Sequence, residues 1–171
     1  MGVTAENVAK EHGISRADQD AFAMESQNRA ARAIAEGRFK EQIVPVEIVT
    51  RKGTVVFDTD EHPKATSPEA LAGLRAVFQK DGTVTAGNAS TLSDGAAAVV
   101  VASSRMAEQL GRKPLGRVVA YSTSGVAPKD IFIAPVLAVR QVLEKASLRL
   151  SDIDLFELNE AFAAQMLACG K

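Results

Sequence analysis

Two stretches of this sequence hold polar residues in patterns that can do chemistry. The first, Gly82 to Ala98, reads GTVTAGNASTLSDGAAA. Its small residues let a backbone come close to a ligand, and Asn88, Ser90 and Ser93 supply short hydrogen-bonding groups. The same composition suits a tight crossover packed under a sheet, and on physical grounds the two readings stand level. The second, Asp152 to Ala164, reads DIDLFELNEAFAA. Here a predicted strand over Asp154 to Leu158 ends in Asn159 and Glu160, with a helix predicted from about Phe162. The C-terminal ends of strands are where open α/β sheets place ligand groups. Capping of the following helix is the plainer role for Asn159, and physics alone leans towards it.

Other chemistries are poorly provided for. No G-x-G-x-x-G follows a strand, and Gly170-Lys171 lacks both the earlier glycine and the following Ser or Thr of a phosphate-binding loop. His12 and His62 have no second ligand at a useful spacing, so no metal is expected. Asp58, Asp60 and Glu61 read as a solvated loop face. The single cysteine, Cys169, excludes an internal disulfide and fits a reducing compartment.

Bulk properties narrow the field further. Apolar residues make up 46% and charged residues 24% of the 171, an ordinary globular balance. With 20 basic and 21 acidic residues the net charge is −1, which favours neither nucleic acid nor a membrane surface as partner. The longest apolar run, Ala96 to Ala102, is far short of the roughly 20 residues that span a bilayer. Met1 to Lys10 lacks the basic head and apolar block of a secretion signal and reads as the start of a helix. Both ends look abrupt, since Cys169-Gly170-Lys171 follows directly on an apolar helical pattern. That is the character of a piece cut from a longer chain.

The elements that must position these stretches can be laid out in order. Ser15-Arg16-Ala17-Asp18 has the form of a capping box. A helix is predicted behind it to about Glu36, with an apolar stripe of Phe22, Ala23, Ser26, Ala30, Ala33 and Ile34 and a stop at Gly37. Ile43 to Val49 and Thr54 to Phe57 read as strands joined by the turn Arg51-Lys52-Gly53, with Pro45 favouring an edge. Asp58 to Lys64 is a loop, and Ser67-Pro68-Glu69 opens a helix. Ala96 to Ala102 reads as a covered strand and Ser103 to Leu110 as a short helix. Arg117 to Ser122, Ile133 to Lys145 and Asp154 to Leu158 read as strand, helix, strand, a βαβ unit. The break at Arg112 to Gly116 is the candidate domain boundary.

Several blocks resemble the thiolase family. Met1 to Asn7 is similar to the start of the thiolase loop domain. Ser15 to Gln27, with Asp18, Asp20-Ala21-Phe22-Ala23 and Ser26-Gln27, resembles that domain's first helix. Gly82 to Ala98 resembles the stretch leading back into the N-terminal core. Asn159-Glu160-Ala161-Phe162-Ala163 resembles an active-site block. The resemblance covers essentially the whole chain in order, and the last two blocks together are highly specific. It implies an α/β, thiolase-like layered fold, present in part. Residues 1–79 would be most of the loop domain, 80–114 the end of the N-terminal half and 115–171 the start of the C-terminal half.

The resemblance also implies an activity. Thiolases are acyl-CoA C-acyltransferases that carry out a Claisen condensation, or its thiolytic reverse, through a cysteine thioester. They need no metal or redox cofactor, and coenzyme A is substrate and product. Neither catalytic cysteine nor the catalytic histidine matches a position here, so Cys169 reads as a small core residue, and the chain alone is expected to be inactive. What remains is the coenzyme A side. Met1, Phe78 and Ala86 match channel walls, Ala89 and Ser90 match contacts to the pantetheine amides, and Ala161 and Phe162 match the opposite wall. Asn159 matches the residue that holds a water in an oxyanion hole. Two positions depart from the pattern: Thr91 stands where Gly is usual, and Lys64 near where an Arg faces the nucleotide phosphates. The resemblance further implies acyl-CoA as partner, a homodimeric or homotetrameric parent, and a cytoplasmic location in a bacterium, with an organelle left open. Two competing readings are a non-catalytic acyl-CoA or lipid-binding relative and a dinucleotide-binding domain, the latter disfavoured by the missing glycine fingerprint.

Overall fold

A computed structural model describes all 171 residues, Met1 to Lys171. They form two compact units, one of residues 1–91 with 159–171 and one of residues 92–158.

The first unit is built on helices. Helix α1 spans Gly2–Glu11 and α2 spans Arg16–Ala35. The expected capping box is present: Ser15 Oγ accepts from the Asp18 N–H at 3.1 Å, and the Asp18 carboxylate accepts from the Ser15 N–H at 3.2 Å. The Ser15 hydroxyl, which donates to the Asp18 carboxylate at 2.6 Å, and then the Ser15 N–H hold that carboxyl below the ordinary carboxylate range. The cap therefore contributes fully above that range and is lost as pH falls through the lowered value. The face α2 buries is narrower than the predicted stripe and partly polar: Gln19, Asp20 and Ala23. Helix α3, Pro68–Ala72, is capped by Ser67, whose Oγ accepts from the Ala70 N–H at 3.1 Å.

Between α2 and α3 lies a hairpin of β1, Val46–Thr50, and β2, Gly53–Phe57. Its antiparallel register pairs Val46 with Phe57 and Thr50 with Gly53. The ladder starts just after Pro45, which cannot donate to it. The chain returns to this unit in α6, Ala163–Gly170, which packs on α1 and α2. Ala5, Ala9, Ala164 and Ala168 are all buried, and side chains this small let helices approach closely.

The second unit holds α4, Ser104–Gln109, capped by Ser103, and α5, Ala134–Ala146, entered through a 3-10 turn over Pro128–Ile133. The Ser122 and Ser124 hydroxyls donate to the carbonyls of Ala138 and Ala134 at 2.7 and 2.8 Å. Lys145 donates to the Tyr121 carbonyl at 3.1 Å and sits 4.6 Å from the centre of its ring.

Three predicted strands are absent. Residues 96–102, 117–122 and 154–158 join no ladder; the single sheet is the β1–β2 hairpin. The βαβ unit therefore keeps its helix and lacks its strands. Apolar composition marks a segment as willing to pair, but a strand exists only when another supplies its hydrogen bonds. Without that cover Val99, Val100 and Val101 stand 86%, 98% and 83% exposed.

Candidate functional site

The site residues of the first unit gather around the segment 83–90, which is hung from two helices. From α1, the buried Glu6 carboxylate accepts from the Thr83 N–H at 2.8 and 3.0 Å, the Thr83 hydroxyl at 3.1 Å and the Val84 N–H at 2.9 Å. Gly82 is required here, because a Cβ at that position would run into the Glu6 carboxylate. From α2, Asp20 Oδ1 accepts from Asn88 Nδ2 at 2.9 Å. Asn88 Oδ1 accepts from the Thr85 N–H at 2.8 Å, and its Nδ2 also reaches the Thr83 carbonyl at 3.1 Å. Every polar atom of the Asn88 amide is thus engaged, as a side chain only 3% exposed requires.

The segment then pairs with the run before α6. Ser90 N–H donates to the Ala161 carbonyl at 3.1 Å, and Ala163 N–H donates to the Asn88 carbonyl at 3.0 Å. Ala89 and Phe162 face each other across this short antiparallel bridge. Phe162 meets Phe78 edge to face, with ring centres 6.3 Å apart and planes at 73°. The Phe78 ring lies against Gly2, where any Cβ would collide with it. Val77 N–H donates to the Val84 carbonyl at 3.0 Å and ties the Phe78 strand of chain to the same segment.

Five of the residues singled out from the sequence, Phe78, Ala89, Ser90, Ala161 and Phe162, therefore form one contiguous block. Met1 adjoins it through Gly2 and is 68% exposed. Ala86 is exposed on the turn between Thr85 and Asn88, and Asn159 is exposed with its carbonyl accepting from the Ala161 N–H at 3.0 Å. Asn159 does not cap α6: the cap position is Phe162, which has no side-chain cap bond. Ala89 and Ser90 also line a cavity of about 230 Å3 together with Ser26, His62 and Glu160. There the Ser26 hydroxyl donates to Glu160 at 2.6 Å.

Sequence reasoning missed Glu6, Arg16 and Asp20. For the two acids the visible signal was a carboxylate set on the buried line of a helix, as Asp20 stands one turn before Ala23, and Arg16 carried none beyond its i,i+4 spacing to Asp20.

Cys169 is half-buried on the last turn of α6, and burial pushes its thiol up, only partly offset by a hydrogen bond with Gln165. A group held as the thiol near neutral pH is a poor nucleophile. In the folded chain Cys169 should react with a disulfide reagent at pH 8 at least several-fold more slowly than after unfolding in urea. A stopped-flow thiol assay measures both rates, and equal rates would contradict the burial described.

The description "Thiolase, N-terminal domain" matches residues 1–105, and "Thiolase, C-terminal domain" matches residues 112–171. The chain is 54% identical over 171 residues to an acetyl-CoA acetyltransferase of Syntrophomonas wolfei, covering all of this chain and 43% of that protein. It is 55% identical over 172 residues to the acetyl-CoA acetyltransferase of Escherichia coli, covering 100% of this chain and 44% of that one. The crystal structure of the Bacillus anthracis acetyl-CoA acetyltransferase superposes with a TM-score of 0.96 at 50% identity, over 99% of this chain and 43% of that one. The chain thus spans less than half the length of these relatives.

Proposed function

This chain belongs to the thiolase family, and from that premise we propose that it supplies the coenzyme A side of an acyl-CoA C-acyltransferase site. The observation that carries the reading is the bridge between Ala89–Ser90 and Ala161–Phe162, with Phe78 edge-on to Phe162. Pantetheine is a narrow arm with two amides. Aromatic and alanine walls suit its carbon stem, and the Ala89–Ser90 backbone with the Ser90 hydroxyl suits its amides. Met1 and Ala86 extend the walls, and the Asn159 amide holds a water that donates to the enolate oxygen. The reaction is thiolytic cleavage of a 3-ketoacyl-CoA, or its reverse, through a cysteine thioester on a thiolate outside this stretch. A thiolate serves as both nucleophile and leaving group, so coenzyme A enters as substrate and no other cofactor is needed.

Residues 1–79 are assigned to the loop domain, 80–114 to the end of the N-terminal half and 115–171 to the start of the C-terminal half. The two family matches, ending at 105 and starting at 112, support that last boundary. No helix is long and apolar enough to cross a membrane. A homodimeric or homotetrameric parent protein, cytoplasmic in a bacterium and with an organelle left open otherwise, completes the proposal.

The test is a chimera in which these residues replace the matching stretch of the Escherichia coli acetyl-CoA acetyltransferase. It should cleave acetoacetyl-CoA in the presence of coenzyme A, while the 171-residue chain alone should not. A folded chimera that binds coenzyme A without turnover would favour the binding-only reading. Cleavage by the chain alone, abolished by Cys169→Ala, would show that the cysteine has been misassigned.

A further inference from the structure

One ion pair reaches two parts of the proposed pantetheine channel, the chain leading to Phe78 and the turn before Ala89–Ser90. Arg16 Nε donates to Asp20 Oδ2 at 2.7 Å, one turn along α2. The remaining groups of the pair reach outward in two directions. Arg16 Nη2 donates to the carbonyls of Leu71 and Leu74 at 2.6 and 3.0 Å, at the end of α3 and just beyond it. That is the chain that runs on to Phe78, four residues after Leu74. Asp20 Oδ1 holds the Asn88 amide, which shapes the turn from Thr85 to Asn88 and so delivers Ala89 and Ser90. One charged pair therefore ties the chain leading to the aromatic wall to the turn that delivers the amide-binding backbone, beside the Val77–Val84 bond and the Glu6 bonds.

We propose that Asp20, together with Arg16, is a positioning residue for the pantetheine arm of coenzyme A, acting through Asn88 on the Ala89–Ser90 backbone and through Leu71 and Leu74 on Phe78. The inference rests on the acyl-CoA reading above. Its physical basis is the division of labour on the two groups. A carboxylate has two acceptor oxygens and no donor, so it can serve Arg16 and Asn88 at once. An Asn at the same place turns a donor towards one of those two donors, and its pair must let go. A guanidinium presents a fork wide enough to reach a carboxylate and two carbonyls, where a lysine ammonium acts as a single point. Two substitutions that differ in chemistry therefore converge on one outcome.

The experiment uses the whole chain with pantetheine as probe, its affinity read by saturation-transfer NMR and the variants' melting midpoints by circular dichroism. Asp20→Asn and Arg16→Lys should each weaken pantetheine binding by about 10-fold or more, the scale of a lost charge-assisted hydrogen bond. Asp18→Asn, on the same helix but engaged only in the cap, should lower the midpoint and leave the affinity within about 2-fold, since a capping loss acts on stability alone. Should Asp20→Asn fail to melt cooperatively, Arg16→Lys, which keeps the charge pair, decides the question. Unchanged affinity in the two network variants, with the wild-type chain binding pantetheine, overturns the positioning role and leaves the acyl-CoA reading standing. Absence of binding by the wild-type chain removes that reading, and the positioning role falls with it.

Discussion

In the chimera, Asn159→Ala is expected to lower kcat by about 100-fold with little change in KM, and Asn159→Asp is expected to lower it further. A group aimed at charge that develops only in the transition state affects kcat more than KM. Loss of one oxyanion donor costs about 100- to 1,000-fold, and a donor acting through water belongs at the low end. Aspartate should be worse than alanine because it sets a negative charge beside a developing one. Helix capping would predict the opposite order, since Asp caps as well as Asn. The structure takes capping out of contention, because α6 starts at Ala163 and its cap position is Phe162. Steady-state kinetics of both variants, with melting midpoints to show that each is folded, tests the assignment. Near-normal kcat in Asn159→Asp would end the oxyanion role.

Glu6→Ala should be among the most destabilising single changes in the first unit, by about 2 to 5 kcal/mol in urea unfolding of the chain. The carboxylate takes up the N–H groups of Thr83 and Val84 together with the Thr83 hydroxyl. Val84 is fully buried, so water cannot replace the lost acceptor at its N–H. Each buried donor left without a partner costs about 1 to 3 kcal/mol, against a total stability of about 5 to 15 kcal/mol for an ordinary domain. Glu6→Gln should lose less, because its carbonyl oxygen still accepts while its amide turns a donor towards other donors. A midpoint for Glu6→Ala matching wild type would mean that segment 83–90 is not suspended from α1 as described.

Helix starts were legible in the sequence because a cap is local chemistry. Ser15, Ser67 and Ser103 each accept from a backbone N–H three residues on, where the sequence placed them. The same holds for the hairpin, whose strands are joined through a two-residue turn and find each other without help from afar. The strands expected over residues 96–102, 117–122 and 154–158 failed for the converse reason. Their apolar runs describe an appetite for burial, and nothing within a short window says whether a partner edge is there to satisfy it.

The site divides along the same line. Residue type and spacing alone marked Gly82 to Ala98 and Asp152 to Ala164 as the stretches able to do chemistry, and the order of motifs determined the family. That much is carried by composition, caps and motif blocks, which are read within a few residues. Tertiary structure alone decided that Ala89 and Ser90 pair with Phe162 and Ala161, about 70 residues away. It also decided that Glu6 and Asp20, ordinary helix carboxylates by sequence, turn inward to hold that pairing in place. Whether a carboxylate faces water or a row of N–H donors depends on what the rest of the chain brings to that side of its helix, and no local pattern records it.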